Sequence, residues 1–152
     1  MPRGARRLPS ECLRRLEEAD LILHAGDFVA LAVYDELEEL APIEAVVGNM
    51  DEPALRDVLP ERRIVEVEDV RIGMVHVPGP AFGRVERLIA AFPGCHAVVY
   101  GHTHLPEVAR VGDSWVLNPG SPTERRGAPA HSMLMLEVES SHIRPKLVTL
   151  SA

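Results

Sequence analysis

Leu21-Ile22-Leu23-His24-Ala25-Gly26-Asp27 is an apolar run that ends in a glycine and a carboxylate. The spacing predicts a buried strand over 19–24, with Asp27 delivered just past its end. The same pattern recurs three times. Ala45-Val46-Val47 runs into Gly48-Asn49-Met50-Asp51, Ile72-Gly73-Met74-Val75 into His76, and Ala97-Val98-Val99-Tyr100 into Gly101-His102-Thr103-His104. Strand ends on one edge of a sheet are where such groups converge. A carboxylate, an amide and three imidazoles form an oxygen and nitrogen donor set suited to manganese, iron or zinc.

The segments between these runs read as helices and turns. Ser10 is expected to cap a helix whose apolar side carries Leu13, Leu16 and Ala19. Leu31, Tyr34, Leu37 and Leu40 share one face of a second helix, which Pro42 ends. A short helix or turn begins near Glu52-Pro53. This alternation predicts parallel strands joined by crossover helices. Ile64 to Val75 reads as a hairpin turning at Glu68-Asp69, and 83–92 as a third helix. Beyond Val108 the chain reads as short strands over 108–111, 115–117, 133–138 and 142–150. Gly112-Asp113 and Ser140-Ser141 are the turns. The expected layout is α/β for two thirds and antiparallel β for the rest, as one domain over 1–152.

Bulk properties narrow the function. The 152 residues are 46% hydrophobic and 26% charged, ordinary for a globular chain, with an aliphatic core implied by only 4% aromatics. A net charge of -7 argues against a general nucleic-acid surface. It leaves room for a phosphorylated substrate, because a metal can supply local positive charge. Cys12 and Cys95 form no disulfide framework and no Cys-x-x-Cys, so a reducing cytoplasm is the expected compartment. No run is long enough to span a membrane. The basic start, Met1-Pro2-Arg3-Gly4-Ala5-Arg6-Arg7, is not followed by a signal-type apolar region.

Each motif has a plain reading beside the chemical one. A lone His-x-His is more often a polar loop than a ligand pair. If the segment is extended, His102 and His104 project to one side; if it curls, each can serve a different metal ion. Gly-Asp and Gly-Asn are common in turns, yet a carboxylate at a buried strand end calls for a cation. Asp51 is expected to cap the following helix. His76 alone reads as a core histidine, as does His24; His96, His131 and His142 have no partner motif. Asn118-Pro119-Gly120-Ser121-Pro122 reads as a tight turn. In it Gly120 has the option of freeing an N–H for an anion, and Arg125 or Arg126 of meeting a phosphate.

Taken in order, Gly-Asp, Gly-Asn-x-Asp, His, Gly-His-x-His and Asn-Pro-Gly-Ser resemble the calcineurin-like metallophosphoesterases. The likeness is to the small single-domain bacterial and archaeal phosphodiesterases, and it runs from Ala19 to the C-terminus. It implies an α/β/β/α sandwich of mixed sheets with helices outside. It also implies two divalent metal ions, manganese above all, with iron, zinc, nickel or magnesium as alternatives. Asp27 would bridge them. Asn49, His76 and His102 would complete the second site, and His104 would belong to the first. A hydroxide held between the metals would attack a small phosphodiester in line, with Asp27, Asn49 and His102 closest to the chemistry. Asn118, Gly120, Ser121 and Arg125 would sit on the substrate side or behind the ligands.

Two departures qualify the likeness. The family opens with a strand ending in Asp-x-His, and no Asp-x-His occurs here. The chain is therefore expected to lack that strand and two ligands of the first metal, and to have impaired activity. Met50 stands where many members carry a histidine; a thioether cannot act as a general acid. Val77-Pro78 also replaces a common Gly-His. The alternative to an enzyme is a non-catalytic binding scaffold, like the retromer phosphoesterase-like subunit of the same fold. Homo-oligomerisation is left open.

Overall fold

The computed structural model describes residues 7–151. Four helices and nine strands follow in the order α1(Ser10–Glu18), β1(Ile22–His24), α2(Leu31–Leu40), β2(Ile43–Ala45), α3(Pro53–Arg56), β3(Arg62–Val67), β4(Val70–Val75), α4(Arg84–Ala91), β5(Ala97–Tyr100), β6(Glu107–Val111), β7(Ser114–Asn118), β8(His131–Glu139) and β9(His142–Leu150). Ser10 is the first helical residue of α1 and does not cap it. Pro9 holds the cap position, and its carbonyl accepts from Leu13 N–H at 3.1 Å.

The strands form a five-stranded mixed sheet, β3-β4-β5-β7-β6, and two pairs, β1-β2 and β8-β9. β1 runs parallel to β2, and β4 parallel to β5, as helical crossovers require. The last third is not wholly antiparallel, because β7 joins β5 in parallel register, Val98 opposite Val116. The hydrophobic run of β7 marks a strand but carries no information on direction.

Two-residue side-chain periodicity sorts these strands into layers. Leu134, Leu136 and Val138 of β8 pack with Leu21 and Leu23 against Ile72, Met74 and Val99 of the large sheet. Met133 and Met135, the alternate residues of β8, pack with Ala45 against Leu8, Cys12 and Leu37 on the helical side. The pairs β1-β2 and β8-β9 therefore lie in one layer, with the large sheet beneath and α1 to α3 above. On the far side, Leu88 and Phe92 of α4 cover Val98 and Val116. The result is an α/β/β/α sandwich. Among the described residues no helix is long and apolar enough to cross a membrane.

Candidate metal centre

Four loops leave strand ends on the same edge: those after β1, β2, β4 and β5. Asp27, 5% exposed, follows β1, and Asn49 follows β2. His76 ends β4 at 4% exposure, and His102 lies past β5. His76 Nδ1 is 2.6 Å from the Ala25 carbonyl. A carbonyl can only accept, so that nitrogen carries a proton. Nε2 of the same ring stands 2.8 Å from Asn49 Oδ1 and 3.2 Å from Asp27 Oδ2. His102 Nδ1 is 3.2 Å from the same Asn49 oxygen. Asp27 Oδ2 is buried without a hydrogen-bond donor. Oxygen and nitrogen atoms able to ligate a metal thus converge, and the buried carboxylate oxygen without a donor is one that a cation would satisfy.

Charge states agree with this. Burial acts to raise the Asp27 carboxyl, but the His76 side chain and the Met50 N–H, 2.8 Å from Oδ1, outweigh it and hold the group at about 2. Burial lowers His102, with His76 and Arg126 adding to the effect. Burial and Arg126 likewise lower His104. The carboxylate is charged and these imidazoles are neutral near pH 7, as metal ligation needs.

The His-x-His segment curls. His102 and His104 have φ of 68° and 61°, and Asp27 has 65°, all in the left-handed region that non-glycine residues rarely adopt. Such strain clusters where a fold over-determines a side chain's aim. The expectation of an extended segment with both rings on one side is therefore replaced by the curled alternative. His104 donates Nδ1–H to the Glu124 carbonyl at 2.8 Å and faces the same cavity as Asp27, His76 and His102. Among the described residues no three His, Cys, Asp or Glu side chains make a ready metal-binding group; the convergence counts the Asn49 amide among its members.

The fifth motif holds the loops from behind. Asn118 is fully buried and donates to Thr103 Oγ1 at 3.0 Å. Its Oδ1 accepts from Gly120 N–H at 2.8 Å, so that N–H is engaged and not free for an anion. Ser121 Oγ accepts from the N–H groups of Thr123 and Glu124, which fixes the carbonyl that orients His104. Arg125 turns away to the Pro129 carbonyl. The arginine against the site is Arg126, which donates to the His102 carbonyl at 3.1 Å.

Asp51 is a further correction. It does not cap α3; Glu52 holds that position. Its buried carboxylate accepts from the N–H groups of Gly48, Val29 and Asp27 at 2.7, 2.8 and 3.3 Å. Gly48 lies so close that an added Cβ would strike the Asp27 backbone nitrogen and Oδ1. Thr103 and the clamp role of Asp51 escape a sequence reading, since each depends on a partner in another loop, the Asn118 amide for Thr103 and the N–H groups of Asp27 and Val29 for Asp51. His24 matches its plain reading: it stacks on Phe28 at 3.6 Å, and burial drives it well below the usual histidine range.

Residues 4–141 match the calcineurin-like phosphoesterase superfamily domain. A probable metallophosphoesterase of Methanothermobacter thermautotrophicus is 32% identical over 156 residues, covering 100% of this chain and 88% of that protein. A phosphodiesterase of Methanocaldococcus jannaschii is 35% identical over 117 residues, 68% of each chain. Wild-type Vps29 from Entamoeba histolytica, solved with zinc, shares the fold at a TM-score of 0.78 and 24% identity, covering 98% of this chain and 93% of that one. The chain belongs to the calcineurin-like phosphoesterase superfamily.

Proposed function

We propose that the chain is a metal-dependent phosphodiesterase acting on a small phosphodiester, with manganese as the native ion, the cytoplasm as its compartment, and turnover impaired because the first metal site has only Asp27 and His104. The observation that carries this reading is the convergence of Asp27 Oδ2, Asn49 Oδ1, His76 Nε2 and His102 Nδ1, with Asp27 Oδ2 buried and unpartnered. These four residues would hold one divalent ion, and His104 with Asp27 would contribute to a second. When bound, the metal supplies Lewis-acid stabilisation of phosphoryl oxygens and acidifies a water for in-line attack. The protein's part is placement. Ala25 fixes the His76 tautomer, Asp51 ties the β1 and β2 loops together, and Asn118 with Thr103 braces the curled histidine segment.

Met50 is 41% exposed and carries no exchangeable proton. The leaving group must therefore depart without a proton from this position, which favours aryl over alkyl esters. Hydrolysis of bis(p-nitrophenyl) phosphate in manganese, compared with an alkyl phosphomonoester, tests the reading. Turnover should need the metal, favour the aryl diester and fall at least tenfold in His102→Ala. Turnover that survives chelation and this substitution would overturn it. A folded chain without metal-dependent turnover would favour the scaffold alternative.

A further inference from the structure

The loops that leave β2, β4 and β5 share a composition that metal ligation does not require. Residues 46–50, 76–83 and 101–106 contain no Asp, Glu, Lys or Arg, in a chain that is 26% charged. The two carboxylates that follow Met50 are engaged, Asp51 with the β1 loop and Glu52 with Leu31 N–H. The polar side chains of these segments are Asn49, three histidines and Thr103. The Thr103 hydroxyl is also engaged, accepting from the Asn118 amide at 3.0 Å and from Leu105 N–H at 3.2 Å. What the loops show to solvent instead is apolar. Met50, Val77 and Leu105 are exposed, and each directly follows a proposed ligand, Asn49, His76 and His104. Phe82, at 95%, is the most exposed large apolar side chain among the described residues.

Phe82 stands on the same edge. β4 and β5 run parallel, so α4 carries the chain back along the sheet and starts at the edge where β4 ends. Phe82 lies two residues before α4. Its loop is held firmly. Arg84 donates to the Gly79 carbonyl at 2.9 Å, and Arg87 to those of Pro78, Pro80 and Phe82 at 3.0, 2.6 and 3.1 Å. Four carbonyls are thus tied to the first turn of α4, and Pro78 and Pro80 restrict their own φ besides. Arg84 lies 5.6 Å from the centroid of the Tyr100 ring, which sets the loop against the end of β5. The chain orders this loop and leaves its phenyl ring in water. Burial of such a ring is a large stabilising contribution, unused here in the free chain. An apolar contact that is already ordered loses little entropy when it is covered.

We propose that Met50, Val77, Phe82 and Leu105 form an apolar collar at the metal centre, that the collar receives an apolar ester arm of the phosphodiester, and that Phe82 sets this preference. The proposal rests on the phosphodiesterase reading for the phosphate itself, which the metal would hold. A sugar or nucleoside arm is selected through hydrogen bonds, and a site built for one presents polar partners to it. On these three loops every polar side chain is already a proposed ligand or bonded elsewhere. An alkyl or aryl arm needs only apolar area to cover, and each methylene covered favours binding.

Calorimetric binding of dimethyl phosphate and dibutyl phosphate to the manganese-loaded chain tests the collar. Neither diester has a leaving group that departs readily, so both report binding without turnover. The parent should bind dibutyl phosphate at least tenfold tighter than dimethyl phosphate. In Phe82→Ser that ratio should fall to threefold or less, and Phe82→Leu should keep it at fivefold or more. Val111→Ser, an exposed apolar position at the far end of β6, should keep the parent ratio. Equal affinity for the two diesters in the parent would overturn the proposal. So would a parent-like ratio in Phe82→Ser, or no measurable binding of dibutyl phosphate. Self-association abolished in Phe82→Ser, without a preference between the diesters, would assign the collar to a second copy instead. The preference without turnover of any diester would remove the phosphodiesterase reading and keep the collar; turnover without the preference would do the reverse.

Discussion

Asp27 and Asp51 exchange carboxylates across two loops. Asp51 accepts the Asp27 N–H at 3.3 Å, and Asp27 accepts the N–H of Met50, the neighbour of Asp51, at 2.8 Å. One carboxylate of this lattice is spent on structure, and the other keeps Oδ2 unpartnered, the oxygen that the proposed cation would take. Backbone donors hold the two loops together.

Removing the Asp51 carboxylate leaves three N–H groups without their acceptor in a buried setting. Asp51→Ala should cost about 3 kcal/mol of stability, read as a lower urea midpoint. Asp51→Asn retains acceptors on one side only and should cost less. No change in either variant would show that the loops hold without this clamp.

Gly48→Ala places a methyl group against the Asp27 backbone and carboxylate. The chain should keep its helical circular dichroism and lose at least tenfold in manganese affinity, because Asp27 is displaced while the layers are not. Unchanged affinity would mean that the approach of these two loops is not needed for binding.

Two acids titrate high. Burial, with Glu11 nearby, raises Cys12 to about 11 from 9.0; burial, with its hydrogen bond to Glu107, raises Tyr100 to about 12 from 10.0. In both the folded chain holds its proton more tightly than the unfolded chain. Their contribution to stability is full below pH 9 and is lost as pH rises to about 12. The urea midpoint should fall across that window. Cys12 should also resist alkylation at pH 8 until the chain is unfolded.

His104 is tied to the Glu124 carbonyl and not to the Asn49 oxygen that joins the other rings. His104→Ala should leave the tighter manganese affinity within about threefold while lowering turnover tenfold or more. An equal loss of affinity in His104→Ala and His102→Ala would show a single undivided cluster.

Much of this was legible in the sequence, for physical reasons. An apolar run followed by Gly-Asp or Gly-His-x-His is a strand with a polar end, and burial alone imposes that pattern. The runs before Asp27, His76 and His102 did become β1, β4 and β5, while the run over 45–47 before Asn49 meets β2 only at Ala45, the strand lying at Ile43–Ala45. Strand direction was not legible, because the β7 run reads the same in either sense. Nor was the left-handed backbone at Asp27, His102 and His104, which depends on loops meeting in space. Asp51 looked like a helix cap because Glu52-Pro53 follows it; its true partners lie up to 24 residues away in the chain. The paired arginines offered two candidates, and only tertiary contact separates Arg126 at the site from Arg125 at Pro129.

The central claim is that Asp27, Asn49, His76 and His102 form one cation site. Calorimetric titration of the metal-free chain with manganese tests it most directly, run beside Asn49→Leu and His102→Ala. The account predicts one tight ion per chain in the parent and at least a tenfold weaker one in each variant, with the fold unchanged. Parent-like affinity in both variants, or no manganese bound by the folded parent, would contradict it.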